Sequence, residues 1–89
     1  MRISYDPAKR EWTLATRGLD FEDAVEVFAD PLQRTDEDTR EDYGEPRFVT
    51  VGRRRDRLLV LVWTPRSEGE RRIISMRKAN AREQARFAH

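Results

Sequence analysis

One unbroken apolar run, Leu58-Leu59-Val60-Leu61-Val62-Trp63, constrains the fold of this chain more than any other segment. Successive side chains of a β-strand point to opposite faces of its sheet, so a run without polar alternation is apolar on both faces. This pattern is typical of a central strand that is covered on each side. The run therefore predicts a sheet whose middle strand has other parts of the protein packed on both of its faces.

A hairpin partner for this strand is predicted just before it in the chain. Residues 47–54 and 57–64 form the two strands, and Arg55-Asp56 makes the turn. With a two-residue turn, the facing pairs are Val49 with Val62, Val51 with Val60, Phe48 with Trp63, and Thr50 with Leu61. A slip of one residue would exchange the two faces of the strand.

A third long strand is predicted at residues 71–79, where two β-branched isoleucines and a methionine lie between basic residues. Residues 2–5 and 32–36 have the composition of shorter strands. Strict alternation along the third strand puts Arg72 and Arg77 on opposite faces, so they can serve one site only if the strand ends or bulges between them.

Two helices are predicted in the N-terminal third. The first begins at Asp6-Pro7, an N-cap followed by a proline that the first helical position tolerates, and ends at Gly18. Its apolar stripe is Ala8, Trp12 and Ala15, which predicts Trp12 as an anchor in the core.

The second helix is capped by Asp20 and ends before Pro31, because a residue that precedes proline is disfavoured in the helical region. Its predicted buried face is Phe21, Ala24, Val25 and Phe28. A short C-terminal helix follows Asn80, which forms a capping box with Glu83 three residues later.

Taken together, these elements predict a single α+β domain over residues 1–89. It has two N-terminal helices, an antiparallel sheet of three to four strands and a short C-terminal helix. Strands joined by short turns favour this antiparallel arrangement with helices on one face.

Charge is divided unevenly along the chain. Residues 1–45 hold 6 basic and 13 acidic residues, a net charge of −7, whereas residues 46–89 hold 12 basic and 4 acidic residues, a net charge of +8. Such asymmetry favours a polyanionic partner for the basic half. The alternative is that the two halves neutralise each other in the fold.

Composition excludes several classes of site. The chain has no cysteine, which excludes disulfides and thiolate metal sites. The acidic stretch at residues 36–45 has the carboxylates that a hard cation needs but matches no calcium-loop spacing, so a solvated loop, or one facing the basic half, is favoured. No cofactor or metal is predicted. No segment has the apolar length of a membrane span or signal peptide, and a cytoplasmic protein is expected.

Several short segments occur in an order that we recognise. They are Asp6-Pro7-Ala8-Lys9, Arg17-Gly18-Leu19-Asp20-Phe21-Glu22-Asp23-Ala24 with Val27-Phe28, Asp38-Thr39-Arg40 with Tyr43-Gly44-Glu45, Arg47-Phe48, and Arg72-Ile73-Ile74-Ser75 with Arg77-Lys78-Ala79. In these segments the chain resembles the BrnT family of type II toxins, whose fold is similar to that of RelE-type ribonuclease toxins. It departs from the family at Arg17, where many relatives carry His.

The resemblance implies a toxin that cleaves RNA and arrests translation. It also implies a BrnA-like antitoxin that neutralises the toxin and binds operator DNA through a ribbon-helix-helix domain, so that the toxin reaches DNA only through its partner.

Metal-independent RNA cleavage needs a base for the 2′-hydroxyl, an acid for the leaving oxygen and cations for the phosphorane-like charge. His89 is the one histidine of the chain, and a mechanism that needs a pair of histidines is therefore excluded. Arginine holds two phosphate oxygens and stays charged, so Arg72 and Arg77 are the candidates for stabilising the transition state. The alternative for both is an ion pair with the acidic loop.

Other residues have supporting roles in this hypothesis. Lys78 contributes charge or a proton, and Tyr43 and Glu45 are the candidate acid and base. The candidates for RNA-backbone contacts are Arg53, Arg54, Arg55, Arg57 and Arg66. Trp63 has two interpretations, stacking on a base or packing in the core, and core packing is favoured.

Overall fold

The protein is organised around a five-stranded mixed sheet. A computed structural model describes residues 1–87. The strands are β1 (Arg2–Tyr5), β2 (Arg34–Glu37), β3 (Phe48–Arg54), β4 (Arg57–Pro65) and β5 (Glu70–Lys78), and the helices are α1 (Pro7–Arg17), α2 (Ala24–Phe28) and α3 (Ala81–Phe87). The strand order is β1-β5-β4-β3-β2. β1 runs parallel to β5, and every other neighbouring pair is antiparallel.

The predicted antiparallel sheet of three to four strands behind two N-terminal helices is therefore wrong. The sheet is mixed, has five strands, and takes one of them from the chain before α1. The register of β1 places Arg2 opposite Glu70. Parallel neighbours are joined by long crossovers and not by hairpins, so no local turn signal in the sequence marks this pairing. At the other edge, β2 is exposed along its whole length and lacks an apolar pattern.

The hairpin of β3 and β4 confirms the predicted two-residue turn and its register. Val49 lies opposite Val62 and Thr50 lies opposite Leu61. β4 is covered on both faces, as its unbroken apolar run predicts. On one face it packs with α2 and the segment just before it in the larger core, which comprises Leu19, Phe21, Ala24, Val27, Phe28, Leu59, Leu61, Trp63, Ile73 and Met76. On the other face it packs with α3 in a smaller core of Leu58, Val60, Ala79 and Phe87.

α1 begins and ends as predicted but buries a different face. The Asp6 carboxylate accepts a hydrogen bond from the Ala8 amide, and Gly18 closes the helix in the left-handed conformation. Trp12 is 55% exposed, whereas Thr13 is buried. The predicted core role of Trp12 is therefore wrong. Side chains at neighbouring helix positions point about 100° apart, so the orientation in which α1 docks on β5 decides which of them is buried. That orientation buries Thr13, although the apolar stripe of the helix contains Trp12.

The second helical segment is a 3₁₀ turn, Phe21–Asp23, that continues into α2. Asp20 caps it as predicted, by accepting a hydrogen bond from the Glu22 amide. Val27 is buried and Val25 is 46% exposed, so the predicted inward position of Val25 is wrong.

Gly52 allows α2 to lie close to the sheet. A Cβ atom at this position of β3 would stand 2.9 Å from the Val27 carbonyl oxygen and 3.1 Å from the Cβ of Gln33. Since the first of these neighbours is backbone, it cannot rotate away. Glycine is therefore required here by the close approach of two chain segments and not by its own backbone angles.

Candidate nucleic-acid interface

A bulge in β5 decides where the two candidate catalytic arginines lie. β4 pairs Thr64 with Arg72 and Val60 with Arg77, and the register shifts between Val62 and Trp63. Thr64 and Val60 are four residues apart on one regular strand, so both arginines lie on the same face of the sheet. The condition under which Arg72 and Arg77 can serve one site is thus met. Their positions are separated by four residues of β4, roughly 13 Å at 3.3 Å per residue.

The second half of β5 is a free edge within the part of the chain that the structure describes. β1 pairs only with Glu70, Arg71, Arg72 and Ile73. Beyond that point, Arg17 of α1 donates a hydrogen bond of 2.7 Å to the Met76 carbonyl oxygen. An edge carbonyl is thus satisfied by a guanidinium instead of a neighbouring strand, and this contact holds Arg17 beside the C-terminal end of β5.

A basic concavity lies at this edge. It is lined by Thr16, Arg17, Leu19, Arg77 and Lys78 and has a volume of about 460 Å³. Lys78 is exposed and forms no ion pair with any residue in the range 1–87. A second concavity of about 200 Å³ shares Leu19 and is lined by Arg54, Arg55 and Arg57 together with Asp23 and Asp56. We call the cations of the two concavities other than the paired Arg54, namely Arg17, Arg55, Arg57, Arg77 and Lys78, the basic edge.

Arg77 is held by α3. Two of its guanidinium nitrogens donate to the two carboxylate oxygens of Glu83, each at 2.8 Å. The same carboxylate accepts from the Asn80 amide and the Glu83 amide donates to Asn80, which confirms the predicted capping box. One carboxylate therefore both starts α3 and orients Arg77. The predicted alternative for Arg77, an ion pair with the acidic loop, is wrong because Glu83 takes that place.

This pairing makes part of the stability pH-dependent. The hydrogen bonds from Arg77 lower the pKa of Glu83 from 4.5 to about 2. A carboxylate with a depressed folded-state pKa adds stability above its unfolded pKa, and this stability is lost as pH falls through the folded value. We expect the free energy of unfolding of the wild type to fall relative to that of Glu83→Gln as the pH is lowered from about 4.5 to about 2. Urea denaturation of both proteins across this range measures the effect, and a constant difference would contradict it.

The remaining candidates for catalysis lie apart from Arg77 and Lys78. Arg72 is half-buried and lies next to Ser4 of β1. The Tyr43 hydroxyl donates to Asp38 at 3.2 Å, and Glu45 lies 3.4 Å from Arg47. No hydrogen bond or ion pair among the described residues joins Tyr43 or Glu45 to the basic edge. His89 lies outside the described residues.

The loop that carries Tyr43 and Glu45 is tied together by local contacts. Asp38 is buried and binds Arg40 through two hydrogen bonds of 2.9 Å, which lower the pKa of Asp38 to about 2. The described residues bring together no group of three or more His, Asp or Glu side chains with metal-ligand geometry. Arg40 is near enough to Arg77 for its charge to oppose the rise that Glu83 causes in the Arg77 pKa. The loop ends at Phe48, which lies opposite Trp63, and its Pro46 carbonyl accepts a hydrogen bond of 2.6 Å from Thr64, the β4 partner of Arg72. The base of the loop therefore lies at the Arg72 end of β5.

The predicted RNA-backbone arginines fall into four environments. Arg54 pairs with Asp23 at 3.3 Å and with Glu26 at 2.8 Å, so the two oppositely charged halves of the chain neutralise each other at this residue. Arg53 lies with its guanidinium 5.3 Å from the ring centre of Phe87. Arg55 and Arg57 belong to the basic edge, whereas Arg66 is exposed in the β4–β5 turn at the opposite end of β4.

Trp63 is a core residue. It is 6% exposed, stacks on Phe48 with ring centres 5.0 Å apart, and donates a hydrogen bond of 2.8 Å to Thr50. This confirms the favoured interpretation and excludes base stacking by Trp63 in this conformation.

A family model described as "Ribonuclease toxin, BrnT, of type II toxin-antitoxin system" matches residues 5–83. The match covers most of the chain and includes every member of the basic edge. The chain belongs to the BrnT family.

A solved structure supports this assignment. The BrnT chain resembles the crystal structure of the Brucella abortus ribonuclease toxin BrnT, with a TM-score of 0.67 and 26% sequence identity over 90% of this chain and 97% of that one. A comparison with curated proteins gives no match. Within residues 1–87, no helix of this BrnT protein has the length and apolar character needed to cross a membrane.

Arg17 is the residue of this candidate site that the sequence did not predict. The sequence marks it only as a departure from the histidine of many relatives, at the end of α1. The fold places it beside Arg77 and Lys78, with one nitrogen already fixed on Met76.

Proposed function

We propose that this protein is a metal-independent endoribonuclease toxin that arrests translation in the cytoplasm and is neutralised by a BrnA-like antitoxin. Membership of the BrnT family, whose description is a ribonuclease toxin, carries the proposal. The basic edge supplies a surface of suitable charge, since phosphate contacts from Lys and Arg provide affinity that does not depend on sequence.

In the proposed reaction, the 2′-hydroxyl attacks the adjacent phosphorus, and a 2′,3′-cyclic phosphate forms as the 5′-oxygen leaves. Arg77 and Lys78 stabilise the charge that develops on the phosphorane-like transition state. Arg72 lies on the same face of the sheet as Arg77, roughly 13 Å further along β4, and contacts a neighbouring phosphate.

Proton transfer is assigned to the loop beside Arg72. Tyr43 and Glu45 are its candidate acid and base, because Pro46 of the same loop accepts a hydrogen bond from Thr64, the β4 partner of Arg72. RNA then replaces the local contacts that these two side chains make with Asp38 and Arg47. Lys78 is the alternative proton donor, since it is exposed beside Arg77.

RNA is proposed to run from the concavity along the turn of β3 and β4. Arg55 and Arg57 form the backbone-tracking contacts nearest to the site. Arg53 and Arg66 add weaker contacts at other parts of the surface. Arg54 contributes least, because two carboxylates already neutralise it.

The proposed antitoxin has a ribbon-helix-helix domain that binds operator DNA and an acidic segment that covers the basic edge. Occupation of the same cations would exclude RNA. Charge reversal at Arg77 and Lys78 should then weaken the complex. Unchanged antitoxin affinity in that double variant would rule out this mode of neutralisation.

The test is cleavage of a 5′-labelled RNA by purified protein in EDTA, alongside Lys78→Ala and Arg72→Ala. We expect fragments that end in 2′,3′-cyclic phosphate and smaller yields from both variants. Intact RNA that becomes cleaved when ribosomes are added would assign a ribosome-dependent toxin. Salt-sensitive RNA binding without cleavage in either assay, and without growth arrest on induced expression, would replace the proposal with a non-catalytic RNA-binding module.

A further inference from the structure

Trp12 is a large aromatic side chain that the fold leaves in solvent. It is 55% exposed, whereas the second tryptophan of the chain, Trp63, is 6% exposed. The inward residue at this level of α1 is Thr13. Packing within the described fold therefore gives no reason for an indole at position 12.

The surroundings of Trp12 connect it to the basic edge. The guanidinium carbon of Arg17 lies 5.1 Å from the centre of the indole ring, and Arg17 is itself fixed on the Met76 carbonyl. Thr16 stands one helical turn after Trp12, on the same side of α1, and lines the concavity with Arg17, Arg77 and Lys78. The exposed indole thus extends the wall of that concavity by one turn, about 5.4 Å.

We infer that Trp12 is a stacking platform for an RNA base next to the phosphate that the basic edge holds. The inference rests on the proposed function, since it takes RNA as the substrate. Single-stranded RNA is bound by exposed aromatic rings and guanidinium planes, on which unpaired bases stack. Arg17 fixes one side of the indole and neutralises the adjacent phosphate, which leaves the remaining ring surface for a base.

The composition of this surface favours a nucleic acid over an apolar protein segment. The cations next to the indole are Arg17, Arg77 and Lys78, and the other apolar residue that lines the concavity, Leu19, is only 6% exposed. An aromatic plane bordered by cations matches alternating bases and phosphates. Trp12 is therefore a positioning residue for the substrate and takes no part in proton transfer.

The experiment compares wild type with Trp12→Ala and Trp12→Phe, using a 2′-O-methyl oligonucleotide that cannot be cleaved and an abasic oligonucleotide of equal length. Loss of one stacked base should weaken binding of the first oligonucleotide by roughly 5- to 100-fold in Trp12→Ala. Trp12→Phe should retain much of the affinity, and binding of the abasic oligonucleotide should be the same in all three proteins. Val25→Ala, which removes an exposed apolar side chain from α2, is the matched control.

Tryptophan fluorescence gives a second readout. Because Trp63 is buried, quenching by the base-containing oligonucleotide should come from Trp12 and should disappear in Trp12→Phe while binding persists. Equal loss of affinity for both oligonucleotides, or wild-type binding by Trp12→Ala, would overturn the inference and leave the ribonuclease intact. Loss of antitoxin affinity alone would assign the indole to the protein partner and also overturn it. Failure of the wild type to bind RNA at all would overturn both proposals.

Discussion

Arg77→Ala is expected to lower the rate of RNA cleavage by about 10²–10³-fold, the usual loss when one group that stabilises transition-state charge is removed. The guanidinium lies at the basic concavity and is held there by two hydrogen bonds to Glu83. Since a fixed donor needs no rearrangement during the reaction, its removal should reduce kcat more than it raises KM. Single-turnover cleavage of a labelled RNA measures both quantities.

Glu83→Gln is the control that separates catalysis from anchoring of α3. Glutamine also suits the third position of a capping box, so the start of α3 is retained while the charge that neutralises Arg77 is lost. Glutamine keeps one acceptor oxygen for Arg77, so we expect this variant to retain most of the wild-type rate. A loss as large as that of Arg77→Ala would show that the rate depends on the carboxylate that orients Arg77 and not on the Arg77 charge alone.

Phe21→Ala is expected to lower the free energy of unfolding by about 3–5 kcal/mol, because it removes a buried aromatic side chain and leaves a cavity. Phe21 is fully buried and meets the Tyr5 ring edge-to-face at 5.8 Å between ring centres. For a small domain with a total stability of about 5–15 kcal/mol, this loss is a large fraction. Urea denaturation, analysed for both midpoint and slope, measures it.

Val25→Ala on the neighbouring helix is the matched comparison. Val25 is 46% exposed, so its truncation should change the free energy of unfolding by no more than about 0.5 kcal/mol. Phe21→Leu should fall between the two, since it retains much of the apolar volume. A cost below about 1.5 kcal/mol for Phe21→Ala would mean that the surrounding core collapses into the space.

Membership of the BrnT family was accessible from the sequence, because the motifs that carry it are read directly from residue order. The candidate site was accessible only in part. Arg77 and Lys78 were named from their motif and lie together at the basic edge, whereas Arg17 was missed because its partner, the Met76 carbonyl, is 59 residues away. The roles predicted for Arg72, Tyr43 and Glu45 stay predictions that the cleavage experiments test.

The sequence by itself determined the features that depend on neighbouring residues. α1 begins at the Asp6 cap and ends at Gly18, and α3 begins at the capping box of Asn80 and Glu83. The two-residue turn sets the register of β3 against β4. Each follows from local backbone geometry or hydrogen bonds over a few residues. Local patterns therefore suffice for them.

Only the tertiary structure decided the features that join distant segments. The parallel pairing of β1 with β5, the bulge that brings Arg72 and Arg77 to one face, and the exposure of Trp12 depend on how whole elements dock. Alternation and helical periodicity indicate which residues share a face of a regular strand or helix. They do not predict where a strand bulges or which face of a helix packs against the sheet. The surface that we propose for RNA binding depends on these contacts between distant segments.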